Sequence, residues 1–387
     1  MLLLHAADLH LGKTLHERDI SEDQEAMLEG LLGLLADRRP AALLLAGDLY
    51  DRSIPPPEAV RLFDSFLSRA ASADPGLVVV AIPGNHDSAA RLSFGTRLMS
   101  RSGVHIRTLP EDCAEPIIVE RGGEAAAIWP LPFLGPGAFG PRSGAPRGQA
   151  ELFAEAMLRL GEALVRPDRP GRGARNVLLA HCFAAGGATS ESERAFVGQA
   201  EQVDSGAFGL FDYVALGHLH RFQKVGEKAR YAGSPLAYSF AEGGEPKGFV
   251  LVDLKKEGGF EAELVPFAPL RRMVRLEGSF SVLSAPGAFP EHRDDFIEAR
   301  LTDAEAVLNP ADPLRANFPN LLSVRQAAFE ILPPGPDREA PSLPLEGARS
   351  LVEDFAAFHA EMKGAGPDEE TAALFASLLR EAEHAAL

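Results

Sequence analysis

What most limits how this chain can fold is a repeated pairing: five times before residue 221, an apolar run of strand length ends in Asp, His or Asn side chains able to bind a metal. Leu2 to Ala7 leads into Asp8-Leu9-His10, Ala41 to Ala46 into Gly47-Asp48-Leu49-Tyr50-Asp51, and Leu77 to Ile82 into Gly84-Asn85-His86-Asp87. Two later runs end in His181 and in Gly217-His218-Leu219-His220. Side chains two apart on an extended segment share a side, so Asp8 and His10, or His218 and His220, can reach one cation. Gly47 permits the sharp exit that brings Asp48 over a sheet edge.

Seven donors emerge: Asp8, His10, Asp48, Asn85, His181, His218 and His220, which are two carboxylates, one amide oxygen and four imidazoles. One cation cannot use them all. Two cations about 3.5–4 Å apart, sharing the Asp48 carboxylate, can do so and hold a bridging hydroxide as nucleophile, which implies phosphoester hydrolysis. Mixed nitrogen and oxygen ligation without thiolate suits Mn²⁺, Fe or Zn²⁺ better than Ca²⁺. Each signature alone has a plainer reading, because Asp-x-His and His-x-His are commonly turns or half-buried polar pairs, and Gly-Asn-His-Asp can be a tight turn. Their joint occurrence favours the metal. His5, His16, His105, His292, His359 and His384 lack such company and read as structural or surface histidines.

Between the signatures, apolar runs alternate with helical periodicity. Ser21 and Gln24 form an expected capping box that opens a helix carrying Met27, Leu28, Leu31, Leu32 and Leu35, and Pro40 stops it. Further strands are expected at 41–47, 77–82, 104–106, 116–120, 125–130, 176–181, 212–216, 229–232 and 248–254, and helices near 57–71, 90–101 and 150–163. This order, βαβαβ and then β-rich, predicts an α/β domain of mixed sheets covered by helices. At 387 residues the chain exceeds a usual single core, so a smaller C-terminal domain is expected as well. The Pro/Gly-rich stretch at 331–347 sets off two final helical patterns. Leu351, Phe355, Phe358 and Met362 recur behind a Ser350/Glu353 capping box, and Ala372, Phe375, Leu378 and Leu379 follow Pro367. Such terminal amphipathic helices most often dock on their own domain.

A formal net charge of −17 works against unaided gripping of nucleic acid, which normally takes a basic face. Arg166, Arg169, Arg172 and Arg175 could touch phosphates but read first as a solvated loop. No apolar run reaches membrane length, no secretory leader pattern is visible, and Cys113 and Cys182 are too few for a disulfide framework. A cytoplasmic location with no membrane contact is expected.

Together, Asp-Leu-His at 8–10, Gly-Asp-Leu-Tyr-Asp at 47–51, Gly-Asn-His-Asp at 84–87, His181 and Gly-His-Leu-His at 217–220 resemble, motif for motif, the calcineurin-like metallophosphoesterase superfamily. Four stretches resemble its branch of repair nucleases that pair with an ABC-type ATPase: HAADLHLGK at 5–13, GNHDS at 84–88, TSESER at 189–194 and AGSPLAYSF at 232–240. The resemblance covers nearly the whole chain and is strongest over 1–255. It implies a four-layer α/β/β/α sandwich at 1–268, a small α+β capping domain at 269–332, a Pro-rich linker at 333–347 and a helical ATPase-binding tail at 348–387. It further implies that Asp8, His10, Asp48 and His220 hold one divalent ion and Asp48, Asn85, His181 and His218 the other, with Mn²⁺ foremost and Fe or Zn²⁺ as alternatives. His86 would stand beside the scissile phosphate, stabilising the transition state or protonating the leaving oxygen. Asp51 matches the position where related phosphatases place a carboxylate that orients this histidine; the archaeal nucleases carry a histidine there, so a simple loop carboxylate is an equal reading.

The implied activity is metal-dependent exonuclease and endonuclease cleavage in DNA repair, recombination and replication, including hairpin and DNA-end processing. The implied partners are DNA and an ABC/SMC-like ATPase, bound through Leu351, Phe355, Phe358, Met362, Phe375 and Leu378, with a homodimer of this chain inside a heterotetramer. Two other classes stay open. A stand-alone metallophosphoesterase acting on a small phosphodiester or a phosphoprotein would use the same metals without needing the tail. A scaffold with a vestigial site is disfavoured, because every ligand position holds a competent residue.

Overall fold

A computed structural model of the chain describes residues 1–140, 148–188, 202–329, 351–363, 366–368, 371–375 and 377–379; TSESER at 189–194, the linker at 333–347, Ser350 and His384 lie outside them. The chain divides into two compact units, Met1–Ala328 and Phe329–Leu387. The first unit runs β1 (Leu2–Ala6), β2 (Thr14–Leu15), β3 (Arg18–Asp19), α1 (Ser21–Arg38), β4 (Ala42–Ala46), α2 (Pro57–Ala73), β5 (Val78–Ile82), α3 (Ala89–Leu92), α4 (Thr96–Met99), β6 (Val104–Ile106), β7 (Ile117–Arg121), β8 (Glu124–Leu131) and α5 (Gln149–Val165). It continues through β9 (Arg175–His181), β10 (Tyr213–Gly217), β11 (Gln223–Val225), β12 (Ala229–Tyr231), β13 (Gly248–Leu254), β14 (Phe260–Pro266), β15 (Met273–Gly278), α6 (Phe280–Leu283), β16 (Phe296–Leu301), α7 (Ala311–Arg315) and β17 (Leu321–Gln326).

Two six-stranded sheets, ordered β14-β13-β1-β4-β5-β6 and β11-β12-β10-β9-β8-β7, lie face to face. In the first, β1, β4, β5 and β6 are parallel; in the second, β8, β9, β10 and β12 are. The strands read as nearly continuous apolar runs because both faces of each sheet are covered. Alternation then assigns the faces: Leu3, Leu44, Val80, Val177, Leu179 and Ala215 fill the space between the sheets. Leu4, Leu43, Leu45 and Val79 turn outward to Met27, Leu31, Phe63 and Phe66 of α1 and α2, while Leu178, Val214 and Leu216 meet Leu152, Phe153 and Leu160 of α5. The result is the expected α/β/β/α stack. A third, all-parallel sheet, β15-β16-β17, has its own core of Leu276, Leu283, Ile297, Leu301, Leu314 and Phe318.

Two local expectations are corrected. The helix expected over 90–101 is broken into α3, α4 and the 3₁₀ turn Ser100–Ser102, with Gly95 at φ 74° between the first two, a conformation that cannot continue an α-helix. No capping box forms at Ser21, because the Gln24 side chain is drawn into the loop after β1 instead. Strands β14 to β17 carry no strong sequence signal; β14 is an edge strand with no fully buried residue.

The second unit contains α8 (Leu351–Lys363) and helical residues at 371–375 and 377–379. The Phe355 and Phe375 rings stack 4.1 Å apart, and Phe358, Leu374 and Leu378 are left exposed. No described helix is long and apolar enough to cross a membrane.

Candidate metal centre

Each signature lies at or just beyond the C-terminal end of a parallel strand, the usual place for ligands in open α/β sheets. The first sheet supplies Asp8 and His10 after β1, Asp48 after β4 and Asn85 after β5; the second supplies His181 at the end of β9 and His218 and His220 after β10. The loops after β1 and β4 zip together: the Asp8, His10 and Leu11 amides donate to the Gly47, Asp48 and Leu49 carbonyls at 3.0 Å. Gln24 secures this ladder from α1, its amide nitrogen donating to His10 O at 2.7 Å and its amide oxygen accepting from Gly12 N at 2.9 Å. So held, Asp8, His10, Asp48 and His218 take φ of 55°, 44°, 47° and 107°. Left-handed backbone at residues other than glycine costs on the order of 1–3 kcal/mol each and concentrates where function requires it.

The donors turn towards one another. His10 Nε2 and His220 Nε2 are 3.2 Å apart, while Asn85 Oδ1 lies 3.0 Å from His181 Nε2 and 3.1 Å from His218 Nδ1. Asp48 Oδ2 sits between the groups, 3.7 Å from His10 Nε2 and 3.5 Å from His181 Nε2. His181 donates from Nδ1 to Ala46 O at 2.8 Å, which leaves its Nε2 lone pair facing the centre. Asp8, His10 and His220, and likewise Asp8, Asp48 and His181, bring ligand atoms within 4.8 Å of one another. Buried lone pairs aimed at each other repel unless a cation lies between them, so this donor set fits divalent metals. Burial pushes His10 down to about 4 and His218 to about 3, and also lowers His181, keeping these imidazoles neutral as ligands must be. Burial opposes ionisation of Asp48, but His181, His10, His86 and the His86 amide together hold it down to about 2.

His86 also brings a ring nitrogen within 4.8 Å of ligand atoms of His10 and Asp48, but it is less enclosed than they are. It is half-buried, and its Nδ1 donates to the Asp51 backbone carbonyl at 2.9 Å. The Asp51 carboxylate is not the group that meets it: Oδ1 lies 2.7 Å from Lys13 Nζ and 3.4 Å from His10 Nδ1. An ammonium is the stronger claimant on a carboxylate, so the expected side-chain pairing becomes a main-chain one. Asp87 accepts from the Leu49, Tyr50 and Gly84 amides at 2.9–3.0 Å and ties the two loops; burial and nearby Asp48 push it up to about 7.

Several contributors escape reading by motif. Glu242, fully buried, places Oε1 3.6 Å from His220 Nδ1, and Lys247 Nζ donates to Glu242 Oε2 at 2.7 Å and to His220 O at 2.8 Å. Tyr238 donates to Leu9 O at 2.5 Å and sets its ring against His10 and His220. Only the string at 232–240 hinted at this segment, since no spacing rule marks it. Arg169 and Arg175 bond within the fold, to Asn176 and Asp212 among others.

The family model for calcineurin-like phosphoesterases matches residues 1–222. The chain is 31% identical over 332 residues to SbcD, the D subunit of the nuclease SbcCD, of Staphylococcus epidermidis, covering 85% of this chain and 86% of that one. Similar solved structures include TT1561 of Thermus thermophilus, at 16% identity and TM-score 0.39 over 68% of this chain and 98% of that one. GAP50, the anchor in the inner membrane complex of Plasmodium, matches at 12% and TM-score 0.42 over 69% and 84%. The chain belongs to the calcineurin-like phosphoesterase family, metal-dependent hydrolases of phosphoester bonds, and is a homologue of the SbcD component of the nuclease SbcCD.

Proposed function

We propose that the chain is a two-metal DNA phosphodiester hydrolase, an SbcD-type nuclease subunit acting with an SbcC-type ABC/SMC-like ATPase on DNA ends and hairpins. The observation that carries this reading is the convergence of seven donors from two sheets, with Asp48 within reach of both groups. Asp8, His10, Asp48 and His220 would hold one cation and Asp48, Asn85, His181 and His218 the other, Mn²⁺ being the first choice. Bound there, the cations would polarise the phosphoryl group and lower the pKa of the attacking water. His86, with Nδ1 committed to the Asp51 carbonyl, would offer Nε2 to the departing oxygen or to developing negative charge. The Asp51 carbonyl would hold the His86 proton on Nδ1, and its carboxylate, 3.4 Å from His10 Nδ1, would favour a proton there as well.

Net charge of −17 supports leaving much of the DNA grip to the ATPase. The 273–326 sheet is read as the capping domain, and the tail as the ATPase dock, where Phe358 and Leu378 are the exposed anchors and the Phe355–Phe375 stack holds the helices together. Leu351 and Met362 belong to the same reading. Exposed Phe94 and Leu98 on the broken helix supply apolar surface for a second copy of the chain. Metal analysis under saturating Mn²⁺, combined with nuclease assays with and without the ATPase, tests the reading. Two sites per chain and ATPase-dependent processing are expected; a stoichiometry of one that Asp48→Ala leaves unchanged refutes it.

A further inference from the structure

Segment 232–247 supplies none of the seven donors, yet it sends its polar side chains into the protein behind one of them. Three imidazoles turn Nε2 to the centre, and each has an oxygen behind its Nδ1. Ala46 O stands 2.8 Å from His181, Asp51 Oδ1 3.4 Å from His10, and Glu242 Oε1 3.6 Å from His220. The last two are carboxylates, and each is held at 2.7 Å by a lysine, Lys13 and Lys247. Thus two His–carboxylate–Lys series converge on the group formed with Asp8 and Asp48, while His181 on the other side is backed by a neutral carbonyl.

Glu242 is 0% exposed; Ser239 Oγ donates to its Oε1, and Lys247 Nζ, Ser234 Oγ and the Tyr238 amide donate to its Oε2. A buried ion pair contributes little net stability compared with an apolar pair of the same shape, so folding alone does not account for one here. A carboxylate behind a ligating imidazole, by contrast, fixes the tautomer, orients the ring and raises the basicity of the ligating nitrogen.

We propose that Glu242, clamped by Lys247, is a positioning residue that keeps the His220 proton on Nδ1 and its Nε2 lone pair on the cation shared with Asp8, His10 and Asp48. This role rests on the two-metal reading and deepens it by giving one of the two sites its own support. Removing such a partner typically lowers metal affinity by about 10- to 100-fold, and here the loss should fall on one of two ions.

The test is a Mn²⁺ titration of the full chain, reading free Mn²⁺ by electron paramagnetic resonance, for wild type, Glu242→Gln and the charge-free pair Glu242→Gln with Lys247→Met. Glu298→Gln is the control, because Glu298 is equally buried and ion-paired, to Arg275 and Arg325, in the third sheet. Wild type and control should bind two ions alike, and both Glu242 variants should weaken one ion about 10- to 100-fold and leave the other unchanged. In the metal-free protein, imidazole ¹⁵N shifts should show His220 protonated on Nδ1, with mixed tautomers in Glu242→Gln. Unchanged affinity at both sites in the charge-free pair overturns the proposal, as does an equal loss at both sites accompanied by a lowered thermal midpoint. Fewer than two ions in wild type would overturn the two-metal reading itself, which the same titration reports separately.

Discussion

Adding one methyl group at Gly217 measures how closely the two sheets must approach. Gly217 ends β10 opposite His181, and a Cβ there would fall 1.9 Å from Ala46 O and 2.9 Å from His181 Nδ1. Carbon and carbonyl oxygen normally stay about 3.3 Å apart or more, so the strand ends would have to separate by roughly 1 Å or more. The 2.8 Å bond from His181 Nδ1 to Ala46 O cannot survive that. Overpacking costs about 1–3 kcal/mol, and stranding a buried N–H about 1–3 kcal/mol more. Gly217→Ala should therefore lose roughly 2–6 kcal/mol in urea unfolding of the metal-free protein and, with His181 unsupported, about 10- to 100-fold in Mn²⁺ affinity. Gly33→Ala is the contrast: it sits exposed on α1 with nothing within 4 Å of a built Cβ, and should gain about 0.5–1 kcal/mol. Wild-type unfolding midpoint and metal affinity in Gly217→Ala would refute the close-approach reasoning.

His86→Gln should lose most hydrolysis while binding both ions as wild type does; loss of metal would make His86 a ligand. Phe358→Ala with Leu378→Ala should release the ATPase in co-purification, the aromatic alone contributing about 2 kcal/mol or more, and leave Mn²⁺-dependent hydrolysis of an aryl phosphodiester untouched. His5, fully buried between the sheets beside Tyr213, is pushed down to about 3 by burial. Its unfolded form titrates near 6.5, so the stability tied to keeping it neutral is complete above that pH and is lost as pH falls from 6.5 towards 3, by about 1.4 kcal/mol per unit. At fixed metal, His5→Leu should flatten the dependence of urea midpoint on pH between about 6 and 4.5; an unchanged slope contradicts the assignment.

The catalytic half of the fold was legible because its strands are fully covered: Leu2–Ala6, Ala42–Ala46 and Val78–Ile82 are uninterrupted apolar runs, each followed by its donors. Periodicity works when burial is complete. It failed for β14, half exposed at a sheet edge, and for the helix beyond Ala89, where Gly95 outweighed the apolar spacing. The seven donors could be listed from strand ends, but proton placement could not, since it depends on oxygens distant in sequence. Asp51 illustrates this: its carboxylate goes to Lys13 and His10, a choice that no spacing records. Gln24 misled for a related reason, because a residue that fits a capping pattern is equally able to bridge His10 O and Gly12 N.

The placement of β1 governs when this enzyme comes into being. Although it is made before both of its neighbours, β1 lies inside its sheet, with β4 on one side and β13 on the other, and Met1 donates to Leu254, 253 residues away. At roughly 5–20 residues per second of synthesis, one edge of that strand waits on the order of 10–50 s for its neighbour. An apolar strand with a bare edge invites pairing with other chains, which makes this interval the time of greatest aggregation hazard. His10 and His220, which face each other across the centre, are separated by 210 residues. A chain interrupted before β9 would therefore carry Asp8, Asp48 and Asn85 without the imidazoles of the second sheet, and the donor set is complete only once β10 and the turn after it have been made.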